Sequence, residues 1–588
     1  MTLALALLCL PTADFAVSIQ PAAVGQPVRI AVLAPQEMSE DGSPNPFTDR
    51  RLTVTFRHDG QSFSVPGFFA ADGDAAESGA TAGRVWRATF CPPAAGEWTY
   101  TADWAEGDDV ATDADAVGRT IAEGELTVAD AVENAGFYST GPIAVDREAQ
   151  RYRLGLSGGV WTKFGADSPE NFLAFIDFDG TYRHDKKNDR EGDTPLNTST
   201  LHRFEPHAQD AREGDPTWRG GKGKNILGAV NYLADQGMNS VYFLTMNVTG
   251  DGKDVWPWTS HTERRRFDVS KLAQWDRVFG HMQRRGVAMH VVLQETENDQ
   301  LLDNGDLGPD RKLYLREVVA RFGYHPGVVW NIGEENTQTP EQVRAMAAYI
   351  RKIDPLGHPV KMHTFPNKMA EGYRPLLGED TLDGVSLQVG NPKNVHAQTV
   401  QWLTESREAG RPWVAELDEI GPAKVGVKPD ADDPRHDLVR REVLWPHLMA
   451  GGGGCEWYFG YKHAHHDLTA EDWRSRAEMW RQTRVAKEFV AGLPLAGMRS
   501  ADGLVGEDGV HVLAGNETYV VYLKSVRDVS LDLSDADGEF TVRWLNPLKG
   551  GEPAAGTVGT IEGGGRASLG LPSGSAEGDW VCVVQKPE

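Results

Sequence analysis

Between about residue 155 and residue 490 the chain alternates short apolar runs with amphipathic stretches of helical period. Eight runs read as strands: Val160–Ala166, Ser240–Asn247, Val287–Glu295, Gly327–Glu335, His358–Phe365, Gly384–Gly390, Pro412–Glu419 and Gly453–Gly460. Helical patterns lie between most of them, as in Asn225–Gln236 before the second. Eight β/α units in about 330 residues predict a (β/α)8 TIM barrel with insertions. The largest insertion, roughly 179–222, is polar and charged and is expected to form a long loop over the mouth.

Barrel active sites form where strands end, so the ends are the test. The first run leads into Asp167 and Asn171, the second ends at Asn247 with Trp256 and Trp258 beyond it, and the third ends at Glu295. The fourth supplies Asn331, Glu334 and Glu335, the fifth His363 and the sixth Gln388. The seventh supplies Glu416, Asp418 and Glu419, and the eighth Glu456, Trp457 and Tyr458. All are candidate substrate contacts.

Two ends stand out. Val329–Asn336 is an apolar run that stops in two adjacent carboxylates, and Pro412–Gly421 repeats the pattern. A buried strand has no use for charges at its tip unless they meet a substrate, a metal or each other. Paired carboxylates at the mouth of one barrel suit glycosidic cleavage, whose oxocarbenium-like transition state needs one acid on the leaving oxygen and one ionised carboxylate beneath C1. The nucleophile stays open among three residues: Glu419 sits at the tip, but Trp413, Ala415 and Leu417 share its parity and look helix-facing, whereas Glu416 and Asp418 share the other face. A bulge at the tip would overturn that parity.

Other candidates admit two readings each. Trp256, Trp258 and Trp457 suit stacking on sugar faces or packing in a core. Glu334 suits a sugar hydroxyl or an ion pair, and His363 the nucleophile or a structural bond. The run His463, His465, His466, Asp467 resembles a metal cluster, but a solvated loop is the expectation. Gly250–Asp254 resembles a calcium loop without the terminal bidentate Glu. No metal and no cofactor are expected.

Residues 17–130 alternate polar and apolar positions between Gly, Pro and Asp turns, as in Leu52–Arg57, Arg84–Phe90 and Gly96–Thr101, which predicts an antiparallel β-sandwich. Residues 131–154 read as a linker, 155–492 as the barrel and 493–588 as a small β domain. Seventeen Trp exclude a chain unable to bury a core. The net charge of −26 argues against nucleic acid and anionic membranes as partners. Cys9, Cys91, Cys455 and Cys582 show no metal-ligand spacing. Residues 1–16 look like a signal peptide lacking its basic start, so export or a periplasmic location is expected, and no run is long enough to span a bilayer.

The motifs also carry a resemblance. Trp330-Asn-Ile-Gly-Glu-Glu335 resembles the strand-four motif of the glycosidase clan whose acid/base lies on strand four and nucleophile on strand seven. The resemblance implies Glu335 as acid/base, Glu419 before Ile420-Gly421 as nucleophile, and retention of configuration. Glu334 departs from it, standing where the clan has an Asn that contacts the sugar 2-hydroxyl. Asn45-Pro-Phe47, Pro66–Phe69, Gly96–Trp98, Asp167–Asn171, Gly250–Gly252, Asp418–Gly421 and Glu456–Gly460 together resemble bacterial proteins of the DUF5060 type, with a clan-A-like barrel and a C-terminal domain of the type named for collagen binding. The expectation is a secreted glycoside hydrolase acting on an oligo- or polysaccharide. A barrel that only binds glycan, or a metal-dependent hydrolase using Glu295, Glu335, Asp418 and the His run, are the alternatives. Sugar, linkage and oligomeric state are left open.

Overall fold

The structure, a computed structural model, describes residues 15–184, 201–250, 252–574 and 577–587. Nearly all of the signal-like stretch, Cys9, Asp251 and part of the expected mouth loop therefore lie outside the described residues. Eight parallel strands close into a barrel: β1 (Lys163–Ala166), β2 (Ser240–Leu244), β3 (Ala288–Val292), β4 (Val328–Asn331), β5 (Val360–His363), β6 (Gly384–Val389), β7 (Val414–Ile420) and β8 (Gly454–Trp457), with β8 pairing back onto β1. Every residue of these strands is buried. Outward positions such as Val291, Trp330 and Leu417 pack in the main core, which includes Leu272, Phe279, Val318 and Leu403 of the surrounding helices.

The first run departs from expectation. Val160–Ala166 is two strands, interrupted at Thr162. Val160–Trp161 pairs with Arg151–Leu154, which pairs with Ile143–Asp146, and only Lys163–Ala166 enters the barrel. The segment 131–154 is thus more than a linker. Its short sheet packs Phe137, Ile143, Tyr152 and Trp161 on Ala288, Val329 and Val414, closing the barrel at the end opposite the strand tips.

Flanking the barrel are two β domains, so the chain is multidomain α/β plus all-β. The N-terminal one is a pair of four-stranded antiparallel sheets. Its strand Val28–Ser39 buries alternate residues from Val28 to Ala34, the signature of a strand with one face on a core. Trp86, Trp98 and Trp104 fill that core, Trp86 and Trp104 meeting edge to face at 4.8 Å. Arg316 and Arg321, on the helix Pro309–Phe322, donate to the carbonyls of Leu52, Gly67 and Phe69, fastening sandwich to barrel. The C-terminal domain opposes a six-stranded and a two-stranded sheet around Val512, Val521, Phe540 and Trp544. Buried Asp579 holds it to the barrel through Arg440 at 2.8 Å and Arg441 at 3.1 Å. Among the described residues no helix is long and apolar enough to cross a membrane.

Candidate active site

The barrel interior holds a layer of charge. The Lys163 ammonium lies 2.9 Å from Glu416, 2.6 Å from Asp418 and 2.8 Å from Glu456, and Lys361 lies 2.6 Å from Glu416. All five side chains are wholly buried. Burial works against every one of these charges, but Asp418, Glu416 and Glu456 hold the Lys163 pKa above its ordinary value. Against the same desolvation, Lys163 and Lys361 hold Glu416 down at about 2. His290 Nδ1 lies 2.8 Å from Glu456 Oε2, which accepts from it; burial, then Lys163, pushes the His290 pKa down to about 3, so the ring is neutral. Glu416 and Glu456, candidates for substrate contact, are placed here, where compensated ion pairs and not ligand surround them.

Above this layer the strand tips form the mouth. The register between β6 and β7 slips by one residue: Leu417 faces Leu387, but Gln388 faces Glu419. That bulge defeats simple alternation. Asp418 points inward to Lys163 and Ser386 Oγ, and Glu419, the next residue, meets Gln388. Gln388 Nε2 donates to Glu419 Oε2 and, at 2.9 Å, to Glu335 Oε1. An oxygen of each carboxylate therefore touches one amide nitrogen, so these oxygens are separated by at most two hydrogen-bond lengths, about 6 Å.

Glu335 reaches this position from a left-handed turn at φ 43°, a conformation costing a non-glycine residue on the order of 1 kcal/mol or more. Neighbouring strand tips hold the turn. Glu334 N donates to Gln294 O at 2.9 Å, Asn336 N to His363 O at 3.0 Å, and His363 N to Gly333 O at 3.1 Å. Asn331 shapes it from below, its Oδ1 accepting from Gly333 N at 3.2 Å and its Nδ2 meeting His290 at 3.2 Å. His363 Nε2 lies 3.7 Å from Glu419 Oε2 and its Nδ1 3.1 Å from the Tyr242 hydroxyl. Burial, then His290, lowers its pKa to about 3, so it faces Glu419 as a neutral imidazole.

Around the pair stand further acids. Asp167, Glu170 and Glu334 all have raised pKa values, first from burial and then from one another, Asp467 and Glu419. Oxygens of Glu170, Glu295 and Glu334 lie within 4.8 Å of one another, as do ligand atoms of Glu334, His363 and Glu419. These are the mouth's candidate seats for a cation. Glu170 was readable as part of the segment Asp167–Asn171 and Asp467 as part of the run His463–Asp467, whereas Lys361 and His290 were readable only as charges inside buried strands.

Not every candidate reaches the mouth. Asn171 is fully buried between Asp254 at 3.1 Å and His202 at 2.8 Å, tying loops together. Asn247 accepts from Lys253 N at 3.1 Å and shapes the loop after β2. Trp256 and Trp258 are sealed in the core, the latter beside Tyr314, and Trp457 points outward, its Nε1 donating to Thr483 at 2.9 Å. None of the three indoles offers a face to a sugar. Tyr458 is buried beyond β8. His463 pairs with Asp432 at 2.9 Å, and Asp467 accepts from Glu170 N at 3.0 Å, so the His463–Asp467 run disperses.

Residues 27–105 match the domain of unknown function DUF5060. No curated protein sequence matches the chain. Among solved structures, a candidate glycoside hydrolase from Bacteroides vulgatus ATCC 8482 superposes with TM-score 0.64 at 15% identity, covering 97% of this chain and 100% of that one. A glycoside hydrolase family 5 structure from the same strain gives TM-score 0.54 at 15% identity over 77% of this chain and 95% of its own. A third, named glycoside hydrolase, gives 0.53 at 13% identity over 77% and 98%. The chain thus joins a DUF5060 domain to a barrel with the fold of glycoside hydrolases.

Proposed function

We propose that this protein is a retaining glycoside hydrolase acting on an oligo- or polysaccharide, with Glu335 as acid/base and Glu419 as nucleophile. The observation that carries the reading is the Gln388 amide nitrogen, which binds a carboxyl oxygen of each residue at the mouth of the barrel. Retaining pairs stand about 5–5.5 Å apart and inverting pairs about 6.5–9.5 Å, and a shared donor suits the shorter spacing. Glu335 is half-buried and Glu419 only 4% exposed, which fits a proton donor facing the leaving group and a nucleophile beneath the ring. Glu419 attacks C1 as Glu335 protonates the glycosidic oxygen; water, deprotonated by Glu335, then releases the sugar. Gln388 steadies the anionic carboxylate in both steps, and neutral His363 places no competing positive charge on it. Export, suggested by the apolar residues 2–10, suits a polymeric substrate.

The test is a panel of aryl glycosides and plant and algal oligosaccharides, comparing wild type with Glu335→Ala and Glu419→Ala. Turnover should collapse in both variants, and azide should restore it in Glu419→Ala with an inverted azide product. Full activity in either variant overturns the assignment, and loss of wild-type activity with chelator favours a metal-dependent hydrolase.

A further inference from the structure

The barrel treats its two layers of acids differently. In the interior, Glu416, Asp418 and Glu456 are 0% exposed and each meets a lysine. One layer nearer the mouth, Asp167, Glu170 and Glu334 keep 1%, 4% and 7% exposure. The strongest charges acting on those three are other carboxylates. Among the described residues, Oε2 of Glu334 and Oδ1 of Asp167 are buried oxygens without a hydrogen-bond partner. A proton shared between Glu170 and Glu334 relieves that pair of one charge, yet leaves the Glu334 oxygen unanswered. Unanswered buried acceptors are costly, and they persist where a ligand answers them. The contrast with the lysine-filled layer below says what that ligand brings, namely positive charge.

The number of acceptors says which kind. A primary ammonium has three donors, and three carboxylates, Glu170, Glu295 and Glu334, converge within 4.8 Å. Charge-assisted contacts of about 2.7–2.9 Å on a tetrahedral nitrogen set their acceptors about 4.6 Å apart, inside that limit. A calcium ion asks for about six to eight oxygens, which these three side chains would supply only if all of them bound it through both oxygens. Glu334 also feels the charges of both Glu335 and Glu419, which flank C1 in the reading above, and the nearest exchangeable substituent on the ring is the one at C2.

We propose, building on the glycosidase reading, that the mouth selects a sugar with a free, protonated amine at C2, its ammonium seated among Glu170, Glu295 and Glu334. Glu334 is then the residue that determines specificity. The experiment uses the full chain and aryl glycosides of glucosamine, galactosamine and mannosamine, each beside its hydroxyl and N-acetyl counterpart. In parallel, calorimetry follows the corresponding monosaccharides binding to Glu335→Gln. The amine should be preferred by at least about tenfold in both readouts, and Glu334→Gln should bring amine and hydroxyl near parity. Preference for hydroxyl or N-acetyl sugars overturns the proposal and leaves the glycosidase standing. Failure to cleave or bind any member of the series overturns the amine seat, and the glycosidase reading then stands or falls on the wider panel above. Calcium or manganese alone binding wild type at micromolar concentration, and not Glu334→Gln, makes the seat a metal site and overturns the ammonium.

Discussion

Lys163→Met is the sharpest probe of how the barrel supports its mouth. Among the described residues Lys163 is the one cation shared by Glu416, Asp418 and Glu456, at 2.9, 2.6 and 2.8 Å. Methionine keeps much of the chain length but removes the charge. Deleting one partner of a buried pair costs about 3–5 kcal/mol, because the other partner is left charged in a poor solvent. Glu416 keeps Lys361, Glu456 keeps Ser240 and His290, and Asp418 keeps only Ser386, so Asp418 bears most of the loss. The acids can escape by taking up protons, which limits the penalty on each to about 1.4 kcal/mol for every unit by which the solution pH exceeds its unfolded pKa. At pH 7 the expected destabilisation is therefore about 3–5 kcal/mol. The sign of its pH dependence is fixed. In wild type Glu416 titrates at about 2, below its unfolded value, so its stabilisation is present above that unfolded value and is lost as pH falls through 2. In the variant burial raises the carboxyl pKa values, the folded form binds more protons than the unfolded one, and stability rises as pH falls. The gap between the proteins should narrow from pH 7 to pH 5. Urea unfolding followed by tryptophan fluorescence at both pH values measures it. A gap below about 1 kcal/mol at pH 7, or one that does not change with pH, refutes the reasoning. Activity should fall too, because Asp418 holds the bulge that delivers Glu419.

Three further outcomes are expected. Gln388→Leu removes the donor between Glu335 and Glu419; kcat should drop about 10²-fold and the acid limb of the rate profile should move to higher pH, whereas a change confined to KM would demote Gln388 to a binding contact. His363→Gln removes a ring whose pKa burial lowers to about 3: the unfolded chain binds the extra proton between about 6.5 and 3, so wild type loses about 1.4 kcal/mol per pH unit there on account of this ring, and the variant's stability curve should be flatter by that slope. Parallel curves would contradict the assignment of a neutral imidazole. Trp457→Phe should lose about 1 kcal/mol with its 2.9 Å bond to Thr483 and leave KM unchanged, since the indole faces away from the mouth; a raised KM would restore the sugar-stacking role.

The barrel was legible because parallel strands with helical crossovers write a coarse signal, an apolar run every few dozen residues. The acid tip of strand four was legible because Glu334 and Glu335 close an otherwise apolar run. What escaped depended on direction. Tryptophan in the stretch Val255–Trp258 signals burial or stacking equally well, and only the packing of Trp258 beside Tyr314 decides for burial. The sheet Ile143–Trp161 escaped because its strands of two to four residues carry too few alternations to register. Strand seven stayed open because parity alone pointed away from Glu419. A bulge costs the sequence no recognisable residue when the extra position is polar and its neighbours are polar too, as Asp418 and Glu419 are.

That strand also shows how charge compensation sorts acids that look alike. Glu416, Asp418 and Glu419 lie within four residues, yet they meet different surroundings. Glu416 lies between two lysines and is held ionised near 2, with Tyr152 at its back. An anion so completely answered gains nothing by attacking a sugar, because bond formation would forfeit both ion pairs. Asp418 spends its two oxygens on Lys163 and Ser386, contacts that pin the extra residue of the bulge. Glu419, turned past that bulge, meets a neutral amide and a neutral imidazole, partners that steady a carboxylate without binding it as tightly as an ammonium would. A nucleophile must be ionised and still have attraction left for a developing cation. Of the three acids, the surroundings of Glu419 meet both conditions, and the ion pairs beneath it are what hold it there.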